Sequence, residues 1–168
     1  MDPRLQALID RAEILEVLHQ YVHACDRSDH ARIVDVYHPD SFDNRGGYKV
    51  SGREFAKIVC DGNAERETMS HLLGQSTIRV DGDHAGAETY FIATVTRIEN
   101  GERHLDQMGG RYIDMFERRD GRWRIKDRIC TSEWSVTSRI EKQWHPDGLF
   151  VRGTFDRSDP SYRALGLR

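Results

Sequence analysis

Apolar residues recur at Leu5, Leu8, Ile9, Ala12, Leu15, Leu18, Val22 and Cys25, a helical stripe that no Gly or Pro interrupts between Arg4 and Asp26. Asp2-Pro3 supplies an N-cap and a residue suited to the first turn. The spacing predicts a helix over residues 3–25, about 35 Å long at ~1.5 Å per residue. Asp26 stands one i+4 step beyond Val22, where the apolar face should continue. A second, shorter helix is predicted from Ser28-Asp29 to about Tyr37, with Ile33, Val36 and Tyr37 as its apolar face. His38-Pro39-Asp40 ends it, because the residue before a proline avoids the helical region. Residues 41–44 and 48–50 read as two short strands around Arg45-Gly46-Gly47. Ser51-Gly52-Arg53-Glu54 has the form of a capping box. It opens a third helix to about Cys60, with Phe55, Ile58 and Val59 inward.

From residue 68 the pattern becomes that of strands. They are predicted over 69–80, 85–99, 103–118 and 122–136, joined by turns at Asp81-Gly82-Asp83-His84, Asn100-Gly101 and Arg119-Asp120-Gly121. Residues 137–168 read as an ordered tail over the body, anchored by Trp144, Phe150, Phe155 and Tyr162. Helices first and a meander afterwards predict an α+β fold, with three helices on one face of a curved, mostly antiparallel sheet. The 168 residues suit a single domain, 1–168.

Composition narrows the function. The chain carries 25 basic and 28 acidic residues, interspersed, for a net charge of −3. That balance argues against a nucleic-acid partner, which requires clustered Lys and Arg. No apolar run is long enough to span a membrane. The start, Met1-Asp2-Pro3-Arg4, lacks the basic and apolar regions of a secretory leader. Cys25, Cys60 and Cys130 are far apart and form no CxxC pair, so neither a zinc knuckle nor a disulfide framework is suggested, and a cytoplasmic setting is the default. His19 and His23 have metal-ligand spacing but no third ligand, so no metal is assigned. Gly109-Gly110 lacks the helix and Lys of a phosphate loop and marks strand curvature.

Two residues draw attention as chemistry. Asp26, a carboxylate at a helix C-terminus, needs a partner there. It is either a structural group paired with Arg27, Arg32 or Arg128, or a working acid–base group. His71, among Met69, Leu72 and Leu73, is either a core histidine bonded to backbone or a base, its ordinary pKa of about 6.5 suiting proton transfer. Strand parity puts Arg128 on the face opposite Trp123 and Ile125. It reaches their side only through a bulge; an ion pair with Asp114, or a subunit interface, is an equal alternative. Tyr48, beside Gly46-Gly47, is a pocket-rim group or a plain strand residue.

The ordered set of Tyr21…Asp26, Tyr37-His38-Pro39-Asp40, Ser51-Gly52-Arg53-Glu54-Phe55, Ser70-His71-Leu72-Leu73-Gly74, Gly110-Arg111-Tyr112-Ile113-Asp114, Asp120-Gly121-Arg122-Trp123-Arg124-Ile125 and Asp159-Pro160-Ser161-Tyr162 resembles the SnoaL-like branch of the nuclear-transport-factor-2-like superfamily. The resemblance implies a cone-shaped half barrel with a deep pocket. Within the branch the chain is similar to scytalone dehydratase, hexachlorocyclohexane dehydrochlorinase and bile-acid 7α-dehydratase, cofactor-free lyases in which a His base is oriented by an Asp. The matching positions are His71 and Asp26, with Tyr21 matching a pocket tyrosine and Arg128 the nearest match to an arginine late in the last strand; these two, and Tyr48 from its place beside the glycines, are the candidate substrate-binding donors. The second catalytic His of scytalone dehydratase has no counterpart, because Met108-Gly109-Gly110 stands there. The resemblance further implies a small to medium, largely apolar substrate, with an isomerase, cyclase or non-catalytic binder as the alternative. It also implies a homo-oligomer, trimer or dimer.

Overall fold

The computed structural model describes residues 2–146 and 148–167. Helix α1 spans Pro3–Asp26, with the Asp2 carboxylate accepting the Arg4 backbone N–H at 2.8 Å. Its buried face is Ile14, Val17, Leu18, Tyr21, Ala24 and Cys25. Leu5 and Leu8, expected on that face, are exposed; the buried face starts at Asp10, which accepts bonds from Arg118 and Trp123 of the sheet. Helix α2 is His30–Asp35, capped by Asp29, and is shorter than the sequence suggests. Tyr37 does not close it. It opens strand β1, Tyr37–Asn44, because Ile125 donates its backbone N–H to the Val36 carbonyl at 2.9 Å and draws the chain into a parallel ladder. Pro39 is tolerated there because the ladder shifts register between Tyr37 and Phe42, where no N–H is required of it.

Strand β2, Lys49–Ser51, runs antiparallel to β1. Helix α3, Gly52–Asn63, starts with the full capping box: Glu54 N–H bonds Ser51 Oγ, and Glu54 Oε2 accepts the Ser51 N–H at 2.9 Å. It continues past Cys60 to the buried Asn63, whose Nδ2 donates to the Cys25 carbonyl at 3.0 Å and ties the ends of α1 and α3 together.

The meander follows as β3 Thr68–Asp81, β4 His84–Glu99, β5 Glu102–Arg119 and β6 Arg122–Arg139. The described strands form one sheet in the order β2-β1-β6-β5-β4-β3, antiparallel except between β1 and β6. Two irregularities in the β5–β6 ladder curve it. One lies at Gly109/Gly110, where β6 carries Glu133 as an extra residue, and one at Met115/Phe116, where it carries Lys126. Glycine is required at the first: a Cβ on Gly109 would strike the Trp134 indole, and one on Gly110 the Thr131 carbonyl. The helices cover one face, over a core that includes Tyr21, Phe55, Phe91, Tyr112, Phe116 and Ile125. The other face leaves Leu72, Tyr90, Ile113, Met115, Ile129 and Trp134 exposed.

The C-terminal segment ends in a short helix α4, Pro160–Ala164. Tyr162 anchors it, buried and donating its hydroxyl to Asp29 Oδ2 at 2.7 Å. Trp144 and Phe150, expected to anchor the segment too, are exposed; the ring contacts of both are with His145, in a stretch without regular structure. No helix among the described residues is long and apolar enough to cross a membrane.

Candidate active site

Asp26 is the last residue of α1, and β3 brings His71 to it. Strand parity sends Met69, His71 and Leu73 inward and leaves Leu72 outside. One carboxylate oxygen of Asp26 accepts the His71 backbone N–H at 3.0 Å, and the other meets the ring Nδ1 at 2.6 Å. An ionised carboxylate only accepts, so this contact puts a proton on Nδ1, and in the neutral ring Nε2 then carries the lone pair. Side-chain exposure is 5% for the imidazole and 13% for the carboxylate. The arginines that were alternative partners for Asp26 are occupied elsewhere: Arg27 with Asp159 at 2.9 Å, Arg32 with the His23 ring at 2.8 Å, and Arg128 with Asp114. His23 also meets Ser161 Oγ at 3.0 Å, so both its ring nitrogens are engaged within the protein.

His71 lines a cavity of about 350 Å³ between the helices and the inner face of the sheet. Phe55, Met69, Phe91, Val95 and Met108 give it an apolar wall; the Phe91 and Tyr112 rings stack at 4.2 Å, and the Phe91 ring centroid lies 6.3 Å from that of the imidazole. Asp26 does not line the cavity; it holds the imidazole from behind. Cys25 does line it, but burial pushes its thiol up to about 12, so it stays protonated and is no nucleophile.

Tyr21 and Tyr48 both line the cavity. Burial raises the Tyr21 phenol well above its ordinary pKa, with the Arg45 charge partly offsetting it, and burial raises Tyr48 as well. Both are therefore neutral hydroxyls at working pH. Tyr48 is 40% exposed and sits at the rim. Tyr21 is fully inside, and its hydroxyl oxygen accepts Arg45 Nη2 at 2.8 Å.

Arg45 is a charged lining residue that the sequence did not single out. Its Nε donates to Asp43 Oδ1 at 2.6 Å, and its guanidinium carbon lies 4.2 Å from the centroid of Phe55. Burial opposes the charge, but Tyr21 and Asp43 outweigh it and hold the group protonated. Asp43 is itself completed by the Tyr37 hydroxyl at 2.6 Å. The turn hid this group: Gly46, at φ +80°, folds the loop so that Arg45 continues the inward parity of Ser41 and Asp43.

Arg128 faces inward through a bulge and is also ion-paired. Lys126 is the extra residue, so Arg128 falls on the same face as Ile125. Its Nε and Nη2 meet the two Asp114 oxygens at 2.6 and 2.7 Å, with both side chains fully buried. The guanidinium carbon lies 4.0 Å from the Tyr21 ring centroid and 4.1 Å from that of Tyr112. It does not line the cavity but supports two rings that do. Burial opposes its charge, and the Asp114 carboxylate outweighs that.

A long helix and two short ones on a curved, unclosed, mostly antiparallel sheet, with a cavity between them, define the half-barrel class of the nuclear-transport-factor-2-like superfamily. The chain belongs to the SnoaL-like domain family, which matches residues 6–129. No curated protein matches it by sequence. Among solved structures it is similar to a type 2 hexachlorocyclohexane dehydrochlorinase, at 17% identity and TM-score 0.73, over 87% of this chain and 99% of that one. It is also similar to a provisionally assigned scytalone dehydratase from Novosphingobium aromaticivorans, at 16% identity and TM-score 0.70, over 86% and 97%. A protein of unknown function from Mycobacterium tuberculosis is 22% identical with TM-score 0.67, over 79% and 77%. At these identities the likeness is one of fold.

Proposed function

We propose that the protein is a cofactor-independent lyase of the dehydratase type, acting on a small to medium, largely apolar molecule. The observation that carries this is the two-point grip of Asp26 on His71 in the wall of an apolar cavity. Nε2 of His71 takes a proton from a carbon next to an activating carbonyl. The C–H electron pair becomes the second bond of an alkene as the bond to the β-oxygen breaks. That oxygen leaves with its electron pair, takes the proton back from the imidazolium and departs as water. Asp26 orients the ring and stabilises its transient charge, help worth roughly 10²–10⁴-fold. Tyr48 and Arg45 are the donors for the developing oxyanion. Arg128 acts through Tyr21, whose ring it supports. An isomerase would differ only in returning the proton to another carbon of the substrate.

The test is a panel of β-hydroxy and β-halo carbonyl compounds, with elimination followed by the absorbance of the conjugated product. Wild type should turn over a member of the panel, with His71→Ala and Asp26→Asn each slower by about 10²-fold or more. Equal turnover in all three rejects the dyad. Binding without turnover in the wild type would favour a ligand-binding or scaffold protein. Two further features belong to this proposal. The exposed apolar outer face of the sheet suits burial in a homo-oligomer, and three free cysteines suit a reducing cytoplasm.

A further inference from the structure

The charges around the cavity do not cancel evenly. Asp106 lines it, but its carboxylate is taken by Arg97 Nε at 2.6 Å and Thr137 Oγ1 at 2.7 Å. Arg45 is matched by Asp43, and the Asp26 carboxylate by His71. Arg66 differs. It lines the cavity from the loop after α3, half-buried, and its Nη1 bonds only neutral acceptors, Asn63 Oδ1 at 2.8 Å and Met69 Sδ at 3.5 Å. No carboxylate among the described residues pairs with it. A guanidinium never loses its charge in a protein and presents a planar fork shaped for a carboxylate.

Resting on proton abstraction by His71, we propose that the substrate is a carboxylic acid whose carboxylate is bound by Arg66 and whose apolar body carries the reacting carbon to His71. Met69 and His71 are two residues apart on one face of β3, so their side chains are separated by about 7 Å along the strand. Arg66 contacts the Met69 end. The carboxylate therefore sits about four to six bonds from the reacting carbon, at ~1.5 Å per bond and allowing for bends. A single guanidinium without a carboxylate partner, since Arg45 is matched by Asp43, and with no lysine lining the cavity beside it, matches one negative charge and not a phosphate dianion.

The probes are 4-phenylbutanoate and its uncharged isostere 4-phenylbutanamide, titrated calorimetrically into wild type, Arg66→Gln, Arg66→Lys and His71→Ala. Wild type should prefer the acid by about 10- to 100-fold, the range of a charge-assisted hydrogen bond. Arg66→Gln should erase that preference, and Arg66→Lys, which keeps the charge, should retain part of it. His71→Ala should leave it unchanged, because it is an equilibrium property of Arg66. A failure of the lyase proposal in the turnover screen is thereby separable from a failure here. Equal affinity for acid and amide in wild type, no binding of either, or a preference that survives Arg66→Gln overturns the inference.

Discussion

Replacing Asp114 with Asn should be among the most damaging single changes in the protein, although Asp114 does not line the cavity. The carboxylate accepts two charged hydrogen bonds from Arg128, at 2.6 and 2.7 Å, with neither side chain exposed to water. Asn keeps the shape and one acceptor but removes the charge. Arg128 cannot respond by losing its proton, and it cannot reach solvent past the Tyr21 and Tyr112 rings on either side of it. Its Nη1 is already buried without a partner, so the site holds no reserve of acceptors. Breaking a buried pair from one side leaves an uncompensated charge and costs about 3–5 kcal/mol. With a urea dependence of about 2 kcal/mol per molar, the unfolding midpoint should fall by about 1.5–2.5 M. Tryptophan fluorescence in a urea titration reads it. The double variant Asp114→Asn with Arg128→Met removes the stranded charge and should recover much of the loss. A single-variant loss below about 1 kcal/mol, or a double variant no better than the single, would refute the stranded-charge account.

Two further outcomes are expected. Burial, with Arg32 and Arg27 nearby, lowers the His23 pKa in the folded protein, against the weaker pull of Asp159 and Asp26. The folded state thus disfavours His23 protonation, and its stability is full above the unfolded pKa of about 6.5 and declines as pH falls through and below it. His23 holds α4 through Ser161, so the protection of α4 amides relative to their intrinsic exchange rates should fall between pH 7 and pH 5 in wild type and not in His23→Gln; an equal loss of protection in both would assign the effect to other groups. On the outer sheet face, Ile113→Glu with Met115→Glu should convert an oligomer to monomers in light scattering, whereas a monomeric wild type would sink the self-association proposal.

The sequence carried the elements whose signals are local. The α1 cap, the Ser51–Glu54 box, the Asn100-Gly101 turn and the long β-rich runs all act within a few residues, and the helices and strands they bound lie close to where periodicity puts them. What periodicity could not carry depends on contacts far along the chain. Tyr37 leaves its helix because Ile125 pairs beside it. Leu5 and Leu8 satisfy a helical stripe yet find no body to pack on, and Trp144 and Phe150 are bulky enough to suggest anchors yet meet no core. Parity gave two outcomes for Arg128, and a single extra residue, Lys126, decided between them. The meeting of Asp26 with His71 was suggested by resemblance alone, since no local rule joins residues 45 apart. Arg45 escaped notice because a Gly-Gly turn ordinarily signals solvent.

The end of α1 is braced from several sides, and that bears on how the dyad could work. Asp26 bonds β3, the Cys25 carbonyl receives Asn63 from α3, Arg27 reaches the carbonyls of Met69 and Thr154, and Asp29 receives Tyr162 from α4. These bonds fall within five consecutive residues and run to different parts of the fold, so displacing the helix end strains several of them at once. Charged hydrogen bonds contribute about 1.5–3 kcal/mol each, and neutral ones about 1 kcal/mol. On the proposed mechanism, a base held this way keeps its lone pair aimed without reorganising as charge develops, which is where preorganised sites gain most of their advantage. The cavity-lining groups Tyr48 and Arg66 are braced differently. Tyr48 is half in solvent and Arg66 lies on a loop, so the rim can adapt to a ligand while the imidazole does not. Variation in the molecule bound should therefore be tolerated at the rim, whereas loss of any one brace at residues 25–29 should register at His71.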